Sequence, residues 1–192
     1  MAIPLLYSII AHEVAHGWVA YLFGDDTAKR SGRLSPNPLV HLDPFGTLAL
    51  FLVGFGWAKP VPVDYSRLKN FRLGLISVSL AGCLTNILIA TVALFLLQLK
   101  AINSNYFFAT TLAVVAKINI ILGALNLIPI PPLDGSKVLM GFLPHEAQRK
   151  LAAIEPYGFL ILVVLLFTGF LNPVINFVQN TILAFIGLML GL

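Results

Sequence analysis

The chain has 192 residues, 58% of them hydrophobic and only 10% charged, with a mean hydropathy of +0.92. Soluble domains carry about 25% charged residues, so a water-soluble fold of this length, which could not hide so much apolar surface, is excluded. The formal net charge is +4, but the basic residues are scattered over loops flanking apolar runs, a distribution that excludes a nucleic-acid groove.

The apolar runs are Met1–Phe23, Leu73–Leu99, Tyr106–Ile128, Tyr157–Leu171 and Val174–Leu192. A bilayer span takes about 17–25 apolar residues; four runs meet that length and Tyr157–Leu171 is marginal. The expected fold is therefore an all-α polytopic membrane protein of about five transmembrane helices. The first run has no basic residue ahead of it and carries a polar triplet, so it is expected to be retained and not cleaved as a secretory signal. Phe45–Ala58 is too short to cross and reads as re-entrant or interfacial. Its continuation "WAKPVPVDY" alternates apolar residues with Pro60 and Pro62, which suits an extended edge strand between the first two spans and excludes a central one. Trp18, Tyr21, Trp57 and Tyr157 read as interfacial belt residues. Cys83 has no partner for a disulfide. No internal repeat or long linker appears, so residues 1–192 are expected to form a single domain.

If every run spans once, one side carries Lys29, Arg30, Arg33, Lys59, Arg67, Lys69, Arg72, Lys137, Arg149 and Lys150, and the other carries Lys100. Lys117 lies inside a span. The asymmetry makes the first side cytoplasmic, with the N-terminus outside and the C-terminus inside.

Within the first run stands "HEVAH", residues 12–16. Residues four apart share a helix face, so His12 and His16 can offer imidazoles to one metal with Glu13 beside them. Zinc held by two histidines and a third protein ligand keeps one position open, acidifies a water there and polarises a carbonyl; Glu13 would move the water's proton to the leaving amine. An ionisable side chain at bilayer depth costs roughly 2.5–3.5 kcal/mol, which argues for function over chance; the alternative is that the three side chains only hydrogen-bond neighbouring helices or flank the membrane boundary.

Candidates for the third ligand are His41, Asp43, Asp134, His145, Glu146 and Glu155. The surroundings of Asp134 are the most unusual: "NLIPIPPLDG", Asn126–Gly135, has prolines at 129, 131 and 132 that must end the preceding helix. Non-helical backbone at membrane depth is tolerated only when buried in protein or lining a wet cavity, which would place Asp134 at a cavity mouth. The alternative is an exit loop in which Asp134 caps the next helix.

"HEVAH" followed by "NLIPIPPLDG" resembles the two hallmarks of the site-2 protease family of intramembrane zinc metalloproteases. The resemblance extends through "GDDTAKRSGRLSPNPLVHLDPFGTL" and "GFGWAKPVPV" to "EPYGFLILVVLLF", and is strongest to the compact subgroup lacking PDZ and CBS domains, where gating falls to the bundle or to a regulatory membrane partner. It implies that His12, His16 and Asp134 hold one zinc ion, that Glu13 is the catalytic base, and that the substrates are membrane-anchored proteins cut within the bilayer. "AGCLTN", Ala81–Asn86, resembles a family stretch with proline where Cys83 stands, which puts helix geometry there in question. Asn86 and Asn126 are catalytic candidates, as donors to an oxyanion or orienters of the substrate strand. The expected activity is that of a cell-membrane zinc endopeptidase opening to the cytoplasm. An integral-membrane metal transporter or an inactive metal-binding scaffold is the alternative, but a transporter needs polar residues on several helices, and here they converge on one helix and one loop.

Overall fold

A computed structural model describes residues 2–43, 46 and 59–191. Six helices carry the architecture: α1 (Ala2–Leu22), α2 (Phe71–Gln98), α3 (Tyr106–Asn126), α4 (Asp134–Phe142), α5 (His145–Phe167) and α6 (Asn172–Leu190). Polar caps start α2 and α3. Asn70 accepts the Leu73 N–H at 3.3 Å, and Asn105 accepts those of Phe107 and Phe108 at 3.1 and 3.3 Å, satisfying donors that have no partner inside the helix. Past the end of α1 the backbone turns at Gly24, whose φ of 105° suits a residue without Cβ.

α2 is the hub, packed against α1, α3 and α4. Its buried Ala81, Gly82, Ala90 and Ala93 let neighbouring helices approach closely. The helix runs unbroken through Cys83, so loss of the proline leaves its geometry regular.

Among the described residues four helices, α2, α3, α5 and α6, are long and apolar enough to cross a membrane. The expected count of about five spans is not confirmed; α1 is long enough at 21 residues, but His12, Glu13 and His16 lower its hydropathy. No sheet forms among the described residues. The extended strand expected over Trp57–Tyr65 is not confirmed: its described residues 59–64 are irregular, with the Lys59 N–H donating to His41 O at 2.8 Å and the Asp64 N–H to Asp25 Oδ2 at 2.7 Å. The re-entrant element expected at Phe45–Ala58, with Trp57, lies outside the described residues apart from Gly46.

The C-terminal third departs from simple alternation. Ile128, Leu133, Leu162 and Leu171 form one buried cluster, so α5 meets the bundle at the proline-rich loop and α6 starts there. Ile182 and Ile186 then pack on Ala90, Ile120 and Ala124, and Gln98 Nε2 donates to Leu190 O at 3.5 Å. The far end of α6 therefore lies beside the C-terminal end of α2, opposite the end bearing Arg72 and α4. The expectation that the C-terminus shares the basic side is corrected by this packing.

Candidate metal centre

α1 and α2 pack antiparallel, and His12 and His16, one turn apart, face Gly82. A Cβ at position 82 would lie 2.5 Å from His12 Cε1 and 2.6 Å from the Nε2 atoms of both histidines; its absence is the space in which the two rings converge. Asp134 arrives from the opposite direction on the first turn of α4. Gly135 behind it lies against the Leu127 and Ile128 carbonyls with no room for a side chain, and the Pro131–Pro132 bond in that loop is cis.

The three donor atoms form a compact triangle. His12 Nε2 is 3.0 Å from His16 Nε2 and 3.0 Å from Asp134 Oδ2, and His16 Nε2 is 3.2 Å from the same oxygen. A tetrahedral zinc with bonds of about 2.0–2.1 Å sets its donors roughly 3.3–3.4 Å apart, so this donor set fits such an ion within a few tenths of an ångström. His16 Nδ1 meets Val78 O at 2.6 Å and His12 Nδ1 meets Asn86 Oδ1 at 2.6 Å. Both oxygens can only accept, so each ring keeps a proton on Nδ1 and turns Nε2 toward the triangle.

Glu13, half-buried, stands outside the triangle. Its Oε2 accepts the Val61 N–H at 2.9 Å, and the carboxylate lines a cavity of about 410 Å³ with Asn126, Asp134, Lys137 and Tyr65.

Of the expected site residues, His12, His16, Asp134, Glu13 and Asn126 are brought to this one place. Asn126 borders the cavity, its Nδ2 donating to Leu122 O at 3.1 Å. Asn86 is not at the cavity. It is fully buried behind His12, with Nδ2 donating to Asn119 Oδ1 at 2.7 Å, so the oxyanion role expected of it is corrected: no part of its amide is left for a substrate. The other third-ligand candidates are elsewhere. His41 Nε2 bonds Ser35 O at 2.8 Å, Asp43 accepts the Gly46 N–H, Glu146 pairs with Lys150 at 3.2 Å, and His145 and Glu155 are exposed on α5.

Two cavity residues escaped the sequence reading. Burial pushes the Tyr65 hydroxyl above its ordinary value. Burial alone would lower Lys137, but Tyr65 and Asp134 outweigh it and hold the ammonium above the usual lysine range. It is therefore a cation, 5.2 Å from the Tyr65 ring centroid. The i, i+3 spacing of Asp134 and Lys137 on a helix was the available signal.

Apolar helices around two buried histidines and a half-buried carboxylate that could hold a metal ion, with a glutamate at the cluster's edge, are the arrangement a membrane metalloprotease requires. The profile of peptidase family M50 matches residues 98–169. The chain is 40% identical over 194 residues to the provisionally named zinc metalloprotease YwhC of Bacillus subtilis, covering 95% of this chain and 89% of that protein. It is 35% identical to the provisionally named zinc metalloprotease Rip2 of Mycolicibacterium smegmatis over 87% of this chain and 66% of the relative. To the zinc metalloprotease MJ0392 of Methanocaldococcus jannaschii it is 25% identical, over 96% of this chain and 47% of the relative. No solved structure gives a significant match. The chain belongs to peptidase family M50, and the resemblance to site-2 proteases read from its motifs stands.

Proposed function

We propose that this protein is a zinc endopeptidase that cuts peptide bonds in or near the transmembrane segments of membrane-anchored substrates. The observation that carries this reading is the convergence of His12, His16 and Asp134 beside Glu13 on one cavity within an apolar helix bundle. His12 Nε2, His16 Nε2 and Asp134 Oδ2 would hold one zinc ion, which when bound supplies Lewis-acid polarisation of a carbonyl and acidifies water. Glu13 does the proton work. With Oε2 held by Val61, Oε1 takes a proton from the attacking water as the new C–O bond forms. It then passes the proton to the amine as the C–N bond breaks. Asn126, at the cavity wall, orients the substrate strand. Helical peptide bonds are shielded by their own hydrogen bonds, so the substrate must unwind locally. Irregular backbone is tolerated there because it lines a cavity.

The basic residues at the Arg72 end favour the cytoplasm for that side, with α1 as a further span of the cell membrane and its N-terminus outside. The function is then regulated intramembrane proteolysis, gated by the bundle or by a membrane partner. The test is Glu13→Gln. Zinc content should match the parent protein while cleavage of a panel of membrane-spanning peptides falls about 100- to 10,000-fold. Undiminished cleavage would remove Glu13 from the mechanism, and parent protein without zinc would remove the metal centre.

A further inference from the structure

Behind His12 lies a chain of buried amides that the proposed chemistry leaves unused. Asn119, on α3, has no exposed surface. Its Nδ2 donates to Val115 O at 2.8 Å and to Ser8 Oγ at 2.8 Å, and Ser8 Oγ in turn donates to Pro4 O at 2.8 Å. Its Oδ1 accepts from Asn86 Nδ2 at 2.7 Å, and Asn86 Oδ1 faces His12 Nδ1 at 2.6 Å.

The direction of every hydrogen in this chain follows from its ends. A carbonyl only accepts, so Val115 fixes the amide nitrogen of Asn119 and leaves its oxygen for Asn86. That oxygen draws the amide nitrogen of Asn86, whose own oxygen then faces His12 and takes a proton only from Nδ1. Without Asn119 the Asn86 amide can reverse, because its remaining contact, to Ser8 O at 3.4 Å, is weak. A reversed amide offers N–H to Nδ1 and drives the ring proton to Nε2, the atom that faces His16 and Asp134.

We propose that Asn119 is a positioning residue which, acting through Asn86, fixes His12 with Nε2 free to bind metal. This rests on the reading of His12 as a zinc ligand. The same bonds tie α1, α2 and α3 together, so a purely structural role is the competing account, and it predicts a lower thermal midpoint with zinc affinity unchanged in variants that fold.

The experiment measures the zinc dissociation constant of the detergent-purified protein by chelator competition, with helix content and thermal midpoint of each metal-free variant as a check on folding. Asn119→Leu should weaken zinc about tenfold, the lower end for a residue supporting a ligand, and Asn119→Asp, which keeps an acceptor for Asn86, should stay within about threefold of the parent. In an Asn86→Leu background the Asn119→Leu substitution should have no further effect, since residues acting in one chain do not add. If Asn119→Leu fails to fold, Asn119→Ala is measured in its place against the same expectations. Unchanged zinc affinity, or an equal loss in both backgrounds, overturns the relay. Parent protein that binds no zinc overturns instead the metal centre on which the proposed function stands.

Discussion

At position 82 a single methyl group decides whether two imidazoles can meet. The Cβ of an alanine would sit 2.5–2.6 Å from His12 and His16 atoms, and the rings cannot back away because Asn86 and Val78 hold their far sides. Gly82→Ala should therefore leave helix content intact while zinc content collapses and cleavage drops about 100-fold or more, the order expected for a displacement near 1 Å. Asp134→Ala removes the anionic donor and should lower zinc per mole of protein, measured by atomic absorption, whereas His145→Ala, on an exposed residue of α5, should not. Depletion by His145→Ala with retention by Asp134→Ala would reassign the third ligand.

At the scale of elements, the proline-rich loop that leads into Asp134 packs against α5. Gly158 makes that contact: a Cβ there would lie 2.7–2.9 Å from Pro131 atoms. Overpacking of this kind costs about 1–3 kcal/mol, and here relief means moving the loop that delivers Asp134. Gly158→Val should lower zinc affinity and the thermal midpoint together, even though position 158 lies in α5 and outside the donor triangle. A variant with unchanged affinity would show that the loop holds its position without α5. The segment at 59–64 plays the corresponding part for Glu13. Pro60 and Pro62 have no N–H, and the donors of Lys59, Val61 and Asp64 are spent on His41, Glu13 and Asp25. The prolines leave the other edge without donors at positions 60 and 62, in keeping with the lack of a sheet at 59–64 among the described residues.

For the whole molecule, the packing of α6 changes the expected topology at one terminus. The loops before α2 and the Asp134 loop share the end rich in basic residues, while Ser104 and Leu190 belong to the opposite end. With Cys83→Ala as background, Ser66→Cys, Ser104→Cys and Leu190→Cys can each be probed with an impermeant thiol reagent outside intact cells. Positions 104 and 190 should label and 66 should not. Labelling of 66 alone would invert the protein in the membrane, and labelling of 104 without 190 would restore the alternating topology in which each apolar run crosses once.

The class of protein and the pairing of the two histidines were legible from sequence because both rest on short-range rules. Apolar length marks the helices, with α2 and α3 falling within two residues of the expected runs at each end, and four-residue spacing puts His12 and His16 on one face. Prolines at 129, 131 and 132 mark the break that leaves Asp134 at the start of a helix. None of these rules reaches across the chain. That Asp134 closes the triangle while His41 and His145 do not, that Asn86 faces away from the cavity, and that Asn119 and Ser8 stand behind it all depend on which faces of α1, α2, α3 and α4 meet. The direction of α6 was equally hidden: hydropathy shows that a segment can cross a membrane, but only Ile182 and Ile186 packing on Ala90 and Ala124 decides which end it leaves from. An isolated asparagine in an apolar helix looks the same whether it faces lipid, a partner helix or a ligand, and the difference is made by tertiary contact alone.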